Sequence, residues 1–245
     1  MRKLLQPFYT LFVLLSFVIS ILVAFPFFFL ISLANNIAAR KTIYTIIRYW
    51  SKAWLWFIGM PVRLLGPKPP DDRYVVVANH ISYLDTLVIF PAIPSYFRAL
   101  GKKETSRIPI VGFIYKQIVV MVDRSRQNSR AKSMRIMWRV IRNESNIAVF
   151  PEGTFNEDPS QPLKSFYDGA FRLAINAQVP ILPMILIDTV DRWHYSHWWK
   201  LWPGRNRVAY MEPVEVYGLS LDDLPELKQK VYDLMDAELR KYRTY

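Results

Sequence analysis

From Phe8 to Ala34 the chain runs 27 residues without a charged side chain. A bilayer core takes about 20 apolar residues as a helix, so this run is long enough to cross one with tilt. Pro26 falls inside it, which leaves two forms open: a kinked span, or a re-entrant pair of shorter helices. A cleaved leader is the rival reading; its apolar region is shorter, about 7–15 residues, and ends at a small-x-small site. Arg2 and Lys3 precede the run, and Arg40, Lys41, Arg48 and Lys52 come after it. The more basic flank is the later one, which sets the remainder of the chain on the cytoplasmic side.

The next stretch, KTIYTIIRYWSKAWLWFIGM, has helical periodicity. Lys41, Arg48 and Lys52 share one face, while Ile43, Ile47, Trp50, Trp54 and Phe57 lie largely on the other. Tryptophan beside Lys and Arg suits a helix lying in the headgroup region; an ordinary core helix with a solvated stripe fits the same pattern. Charge favours the first. The net charge is +12, yet the first 70 residues hold eight Lys or Arg and no acid, leaving +4 for the remainder. Positive charge beside apolar sequence points to a membrane surface. No nucleic-acid recognition motif accompanies it, so nucleic acid is not an expected partner. The absence of cysteine excludes disulfides, thiolate metal sites and cysteine nucleophiles.

Beyond the linker GPKPPDD at Gly66–Asp72, short β-branched runs alternate with helical patterns. Strands are expected at Tyr74–Ala78, Tyr96–Leu100, Ile118–Val122, Ile147–Phe150, Ile181–Ile187 and Val208–Val216. Helices are expected at Tyr83–Phe90, Ile108–Lys116, Ser129–Arg142, Asp168–Gln178 and Asp222–Arg240. The alternation predicts an α/β fold: a mixed, largely parallel sheet flanked by helices, with an N-terminal membrane-anchoring helical segment. Residues 1–65 read as the anchor and 66–245 as the domain. In such sheets function gathers at the carboxyl ends of strands.

Two motifs sit there. VVVANH leads into His80, with Asp85 five residues later in NHISYLD; IAVFPEG leads into Glu152 in FPEGTF. If Ser82 starts a helix, Asp85 lies one turn in and its carboxylate reaches back toward the imidazole. A carboxylate on one ring nitrogen fixes the tautomer and makes the other a better base. With no separate nucleophile evident, His80 reads as a general base acting on a substrate hydroxyl. The spacing alone fits equally a core histidine paired with a helix-start aspartate.

Taken in order, NHISYLD, GKKETSRIPIVGFIYKQIVVMVDRSR, FPEGTF and VPILPM resemble the four blocks of the glycerolipid acyltransferases, which include 1-acylglycerol-3-phosphate acyltransferases. The match covers Asn79 to Met184. The resemblance implies direct acyl transfer: His80, oriented by Asp85, deprotonates an acceptor hydroxyl, which attacks an acyl thioester. It implies that Glu152, Gly153 and Thr154 lie beside the acceptor phosphate and that Lys102 and Arg124 bind it. Gly112 matches the family's glycine in the second block. VPILPM lines the acyl or core side, and its Pro180 and Pro183 suit a strand margin. Acyl-CoA or an acyl-carrier protein is the donor, a lysophospholipid the acceptor and membrane lipid the surroundings. No metal or redox cofactor is expected.

The chain departs from the family pattern at two places. The third block commonly ends in Arg, where this chain has Phe155. The next segment commonly reads FKKGAF, where this chain has FYDGAF with Asp168. Either other cations hold the phosphate, with Lys164 as the candidate, or the acceptor carries less negative charge. The first reading gives acylation of lysophosphatidic acid at its 2-hydroxyl; the second gives a lyso-aminolipid, with glycerol 3-phosphate a further option. A non-catalytic lipid-binding protein and a thioester hydrolase are the rivals of other classes.

Two features carry weaker signals. DRWHYSHWWKLWPGR holds His194 and His197 among four tryptophans and suggests a loop touching the membrane interface; core packing of those tryptophans is the alternative. In Ser129–Arg142, Met134, Met137, Trp138 and Ile141 form a core face opposite Lys132, Arg135, Arg139 and Arg142.

Overall fold

The apolar run folds as one helix, α1 (Arg2–Ser32), which continues through Pro7 and Pro26. The re-entrant pair is therefore not formed. The computed structural model describes residues 2–123, 127–158 and 160–245. After α1 the elements are α2 (Ile37–Phe57), β1 (Val62–Leu65), β2 (Val75–Ala78), α3 (Asp85–Ala92), β3 (Phe97–Lys102), α4 (Val111–Ile118), β4 (Val119–Val122) and α5 (Gln127–Asn143). They continue with β5 (Asn146–Val149), α6 (Gly169–Ala177), β6 (Ile181–Leu186), the single turn α7 (Thr189–Arg192), β7 (Asn206–Tyr210) and α8 (Leu224–Arg240).

The chain packs as two units. The first holds residues 1–64, 81–94 and 186–208; the second holds 65–80, 95–185 and 209–245.

In the first unit α2 starts at Asn36, whose side chain accepts the Ala39 N–H at 2.8 Å and satisfies one of the helix's open donors. One face of α2 meets α1: the Phe17 ring lies 5.7 Å from Trp50 and 5.4 Å from Trp54, and Trp54 Nε1 donates to Ser16 Oγ at 3.1 Å. Tyr44 of α2 packs on Phe90 of α3 at 5.8 Å, and Arg48 donates to the Pro94 carbonyl. Ile43, Ile47 and Trp54, expected on the apolar face, are thus buried within the unit, while Tyr49, Trp56 and Phe57 are exposed. On α1 a series of large apolar side chains from Leu4 to Leu30 faces outward. Leu4–Ser32 is long and apolar enough to cross a membrane. The loop after α7 closes on α1: Thr10 Oγ1 donates to the Trp199 carbonyl at 2.9 Å and accepts the Leu201 N–H at 3.2 Å.

The second unit is built on parallel strands. In the strand order β6-β2-β5-β3-β4, the ladders β6–β2, β2–β5, β5–β3 and β3–β4 are all parallel. Val75 pairs with both Ile147 and Ile181. Every residue of β2, β5 and β6 is buried, which is why these strands read as unbroken apolar runs rather than alternating ones. β7 is antiparallel to β6: Ile187 N–H donates to Arg207 O, and Met211 N–H to Pro183 O. The sheet is therefore mixed and largely parallel. Helix α5 packs on β4, β5 and α6, and α6 packs on α8.

Four local expectations change. The strand expected to reach Val216 ends at Tyr210, and Val214 makes only an isolated bridge with Ile181. The helix expected from Ile108 begins at Val111, after a short 3₁₀ turn over Lys103–Arg107. Ile110 breaks it with φ of 62°, closed by a 2.6 Å bond from Val111 N–H to the Pro109 carbonyl, a strained γ-turn geometry. Strand β1 has four residues and no strong pattern, so it was not expected. Finally, Pro183 is internal to β6, not at a margin. Its carbonyl accepts from Met211, one residue past the end of β7, so its missing N–H falls where that ladder has already ended.

Candidate active site

In the second unit the parallel strands bring their carboxyl ends to one edge. His80 follows β2, Lys102 ends β3 and Glu152 follows β5. His80 is half-buried and is held by one segment, Phe150–Asn156. The Phe150 ring stacks on the imidazole at 4.2 Å and 13°; the Phe155 ring meets it at 4.4 Å and 57°. The His80 N–H donates to Glu152 Oε1 at 2.8 Å, and its carbonyl accepts the Asn156 N–H at 3.0 Å.

Glu152 is fully buried. Its second oxygen, Oε2, accepts the Lys164 N–H at 2.9 Å, so one carboxylate ties the strand-end loop after β2 to the segment before α6. Buried acceptors must be paired with donors to offset lost hydration, and here the donors are backbone amides. The Gly153 N–H closes a turn onto the Phe150 carbonyl at 3.1 Å, and Gly153 has φ of 74°, a conformation that glycine adopts without a Cβ penalty. Thr154 is half-buried, with its hydroxyl 3.3 Å from the Phe155 carbonyl. Tyr167 N–H bonds to Pro151 O at 2.9 Å, and Tyr232 donates to the Leu163 carbonyl at 3.1 Å. Burial first, then the charges of Asp236 and Glu152, raises the Tyr232 phenol above its ordinary range and keeps it a donor.

Asp85 belongs to the first unit. It is the first residue of α3, not one turn in as the sequence suggested, because residues 82–84 form a turn before the helix. The carboxylate is fully buried and folds back on that turn. Oδ2 accepts the Ile81 N–H at 2.7 Å and the Ser82 N–H at 2.8 Å. Ser82 Oγ accepts from Leu84 N–H at 3.1 Å and donates to the Trp193 carbonyl at 2.6 Å. The two bonds to Oδ2 fix the direction of the carboxylate.

Of the expected phosphate ligands, Lys102 and Lys164 are both exposed. The Tyr115 hydroxyl donates to the Lys102 carbonyl at 3.1 Å. Arg124 lies outside the described residues. Gly112 has a packing role: a Cβ there would lie 2.4 Å from the Ser106 carbonyl oxygen, so only glycine lets α4 pass the 3₁₀ turn that follows Lys102. At Asp168 the charge is answered from α8, where Lys228 Nζ lies 2.6 Å away. His194 and His197 each place Nδ1 2.7 Å from Ser196 Oγ, and Trp198 and Trp199 are exposed.

Sequence reasoning did not anticipate that Phe155 touches the imidazole. It treated that position as a missing charge, although aromatic residues at both ends of FPEGTF were a visible signal.

Residues 62–187 match the family model described as Acyltransferase. A mouse protein named 1-acyl-sn-glycerol-3-phosphate acyltransferase alpha is 32% identical over 193 residues, covering 78% of this chain and 67% of that one. A Haemophilus influenzae 1-acyl-sn-glycerol-3-phosphate acyltransferase is 29% identical over 220 residues, covering 83% and 89%. The crystal structure of the 1-acyl-sn-glycerophosphate (LPA) acyltransferase PlsC from Thermotoga maritima superposes with a TM-score of 0.81. It is 25% identical and covers 98% of this chain and 97% of its own.

Proposed function

The chain belongs to the acyltransferase family, and on that premise we propose that it acylates the 2-hydroxyl of a lysophosphatidic acid to give phosphatidic acid. The observation that carries the mechanism is the hold on His80: a half-buried imidazole at a strand end, fixed through its ring and both backbone groups by Phe150–Asn156. A general base must be positioned before it can be effective.

In this reading His80 takes the proton of the acceptor hydroxyl as the oxygen attacks the thioester carbonyl. The tetrahedral intermediate collapses, the C–S bond breaks, and the imidazolium returns its proton to the departing thiolate. Asp85, a buried carboxylate whose direction is set by two amides, has the role of orienting the base and stabilising its charged form. Lys102, Lys164 and Arg124 are the cations assigned to the acceptor phosphate. The donor is acyl-CoA or an acyl-carrier protein. The overall exchange of thioester for ester needs no metal or redox cofactor. The exposed apolar side chains of α1 support a membrane-bound enzyme, and the basic residues after α1 support a cytoplasmic active site.

A second reading is favoured by Phe155 and Asp168: the same chemistry on a lyso-aminolipid. The test is acyl transfer by the detergent-purified chain from a labelled acyl thioester, with lysophosphatidic acid and a lyso-aminolipid offered in parallel. Lysophosphatidic acid is expected to be preferred; preference for the aminolipid replaces the acceptor and keeps the mechanism. The His80→Ala variant is expected to lose about 10²–10⁴-fold in turnover. Retained turnover in that variant overturns the mechanism, and thioester loss without acceptor identifies a hydrolase.

A further inference from the structure

We propose that Phe155 is a positioning residue for His80, and that its work in the site is to hold the imidazole rather than to touch the acceptor's anionic group. This rests on the reading of His80 as the base.

The second dihedral of a histidine side chain is soft and its distribution broad, so a base at a strand end needs its ring fixed by neighbours. Here two aromatic rings do it in different ways. Phe150 stacks nearly parallel to the imidazole, 4.2 Å away at 13°, and sets the tilt of its plane. Phe155 meets it inclined at 57°, 4.4 Å away, and opposes rotation within that tilt. The same loop fixes the backbone, through Glu152 to the His80 N–H and through the Asn156 N–H to the His80 carbonyl. Both ring contacts and both backbone bonds thus come from seven consecutive residues, so the ring and its own backbone move as one body.

The short contact also excludes something. With the Phe155 and imidazole centroids 4.4 Å apart, no phosphate fits between these two rings. An acceptor's anionic group is then held by cations elsewhere, and position 155 contributes to the rate constant instead of to acceptor affinity. Misplacing a reacting group by about 1 Å costs on the order of 10²-fold in rate, which sets the scale for removing one of two ring contacts.

The experiment is steady-state kinetics of the full-length, detergent-purified chain on whichever acceptor the wild type turns over, with melting temperature recorded for each variant. Phe155→Ala and the closer-sized Phe155→Leu are expected to lower kcat by roughly 10- to 100-fold, with the acceptor KM unchanged within about threefold. Phe155→Tyr, which keeps the ring, is expected to restore kcat. Phe155→Arg is expected to lose kcat as the alanine variant does, without tighter binding of a phosphorylated acceptor. Wild-type kcat in Phe155→Leu overturns the proposal, as does a loss confined to KM. A Phe155→Arg variant with full kcat and a lower KM for lysophosphatidic acid overturns it too. His80→Ala in the same assay separates the two levels: an active His80→Ala removes the base assignment itself, whereas an inactive one beside a fully active Phe155→Leu removes only this inference.

Discussion

The two parallel strands that flank β2 each deliver a buried acid just past their ends, and the two acids are held by opposite means. After β5, Glu152 spends both oxygens on backbone N–H groups, those of His80 and Lys164. After β6, Asp188 binds the Arg207 guanidinium through both oxygens, at 2.7 and 2.9 Å, and accepts the Arg207 N–H at 2.9 Å. Burial pushes the Asp188 carboxyl up, but the hydrogen bonds and charge of Arg207, helped by Arg192, outweigh it and hold the group below its ordinary 3.8. The difference teaches what each acid is for. Asp188 is tied to a single residue, binding the side chain and the N–H of Arg207 alike. An acid held by amides of two separate segments dictates where two stretches of main chain lie, one of which carries His80.

The comparison breaks most sharply if Glu152 proves dispensable. Glu152→Ala leaves two part-buried donors without this acceptor, each costing up to about 1–3 kcal/mol. It also releases the His80 backbone, so turnover is expected to fall by about 10²-fold or more; kinetics and thermal unfolding on one preparation check both. Asp188→Asn is expected to cost about 1–3 kcal/mol of stability, toward the lower end because Arg207 keeps 38% of its side chain exposed. In folded protein its kcat should stay within about threefold of wild type, and a collapse of kcat would erase the distinction between the two acids.

Acid sharpens the same contrast. A carboxyl whose folded pKa is depressed stabilises fully above its unfolded value, and the stabilisation is lost as pH falls through the folded value. The wild type's advantage over Asp188→Asn should therefore be constant near neutrality and shrink below about pH 4, as read by melting temperature against pH. Lys102→Ala is expected to raise the acceptor KM several-fold with little change in kcat; a change confined to donor kinetics removes Lys102 from the phosphate site. The smallest effect belongs to Asp168→Asn, whose Lys228 pair is partly exposed and worth about 0–1 kcal/mol.

Much of this was legible in the chain. The β-branched runs located six of the seven described strands to within two residues at their starts, and β2, β5 and β6 were plainest because fully buried parallel strands need continuous apolar sequence. The spacing of His80 and Asp85 and the two strand-end blocks were equally plain. What stayed hidden depended on distant partners or on local backbone. Lys228 answers Asp168 from 60 residues away, so the sequence showed only a cation lost. Ile110 adopts a positive φ that an isoleucine rarely takes, so the start of α4 was misjudged. Phe155 was visible as a departure, but its contact with the imidazole exists only once the loop turns at Gly153 and returns past β2.

The bonds between α1 and the loop after α7 join residues 189, 191 and 195 positions apart. At translation rates of about 5–20 residues per second, the first helix leaves the ribosome roughly 10–40 s before its partner loop is made. During that interval Gln6, Thr10 and the ring of Tyr9, which later packs against Trp202, have no loop to close on. Helix α1, made before that loop, is thus completed only when the loop arrives, and for that time its greasy surface depends on whatever apolar environment the cell supplies.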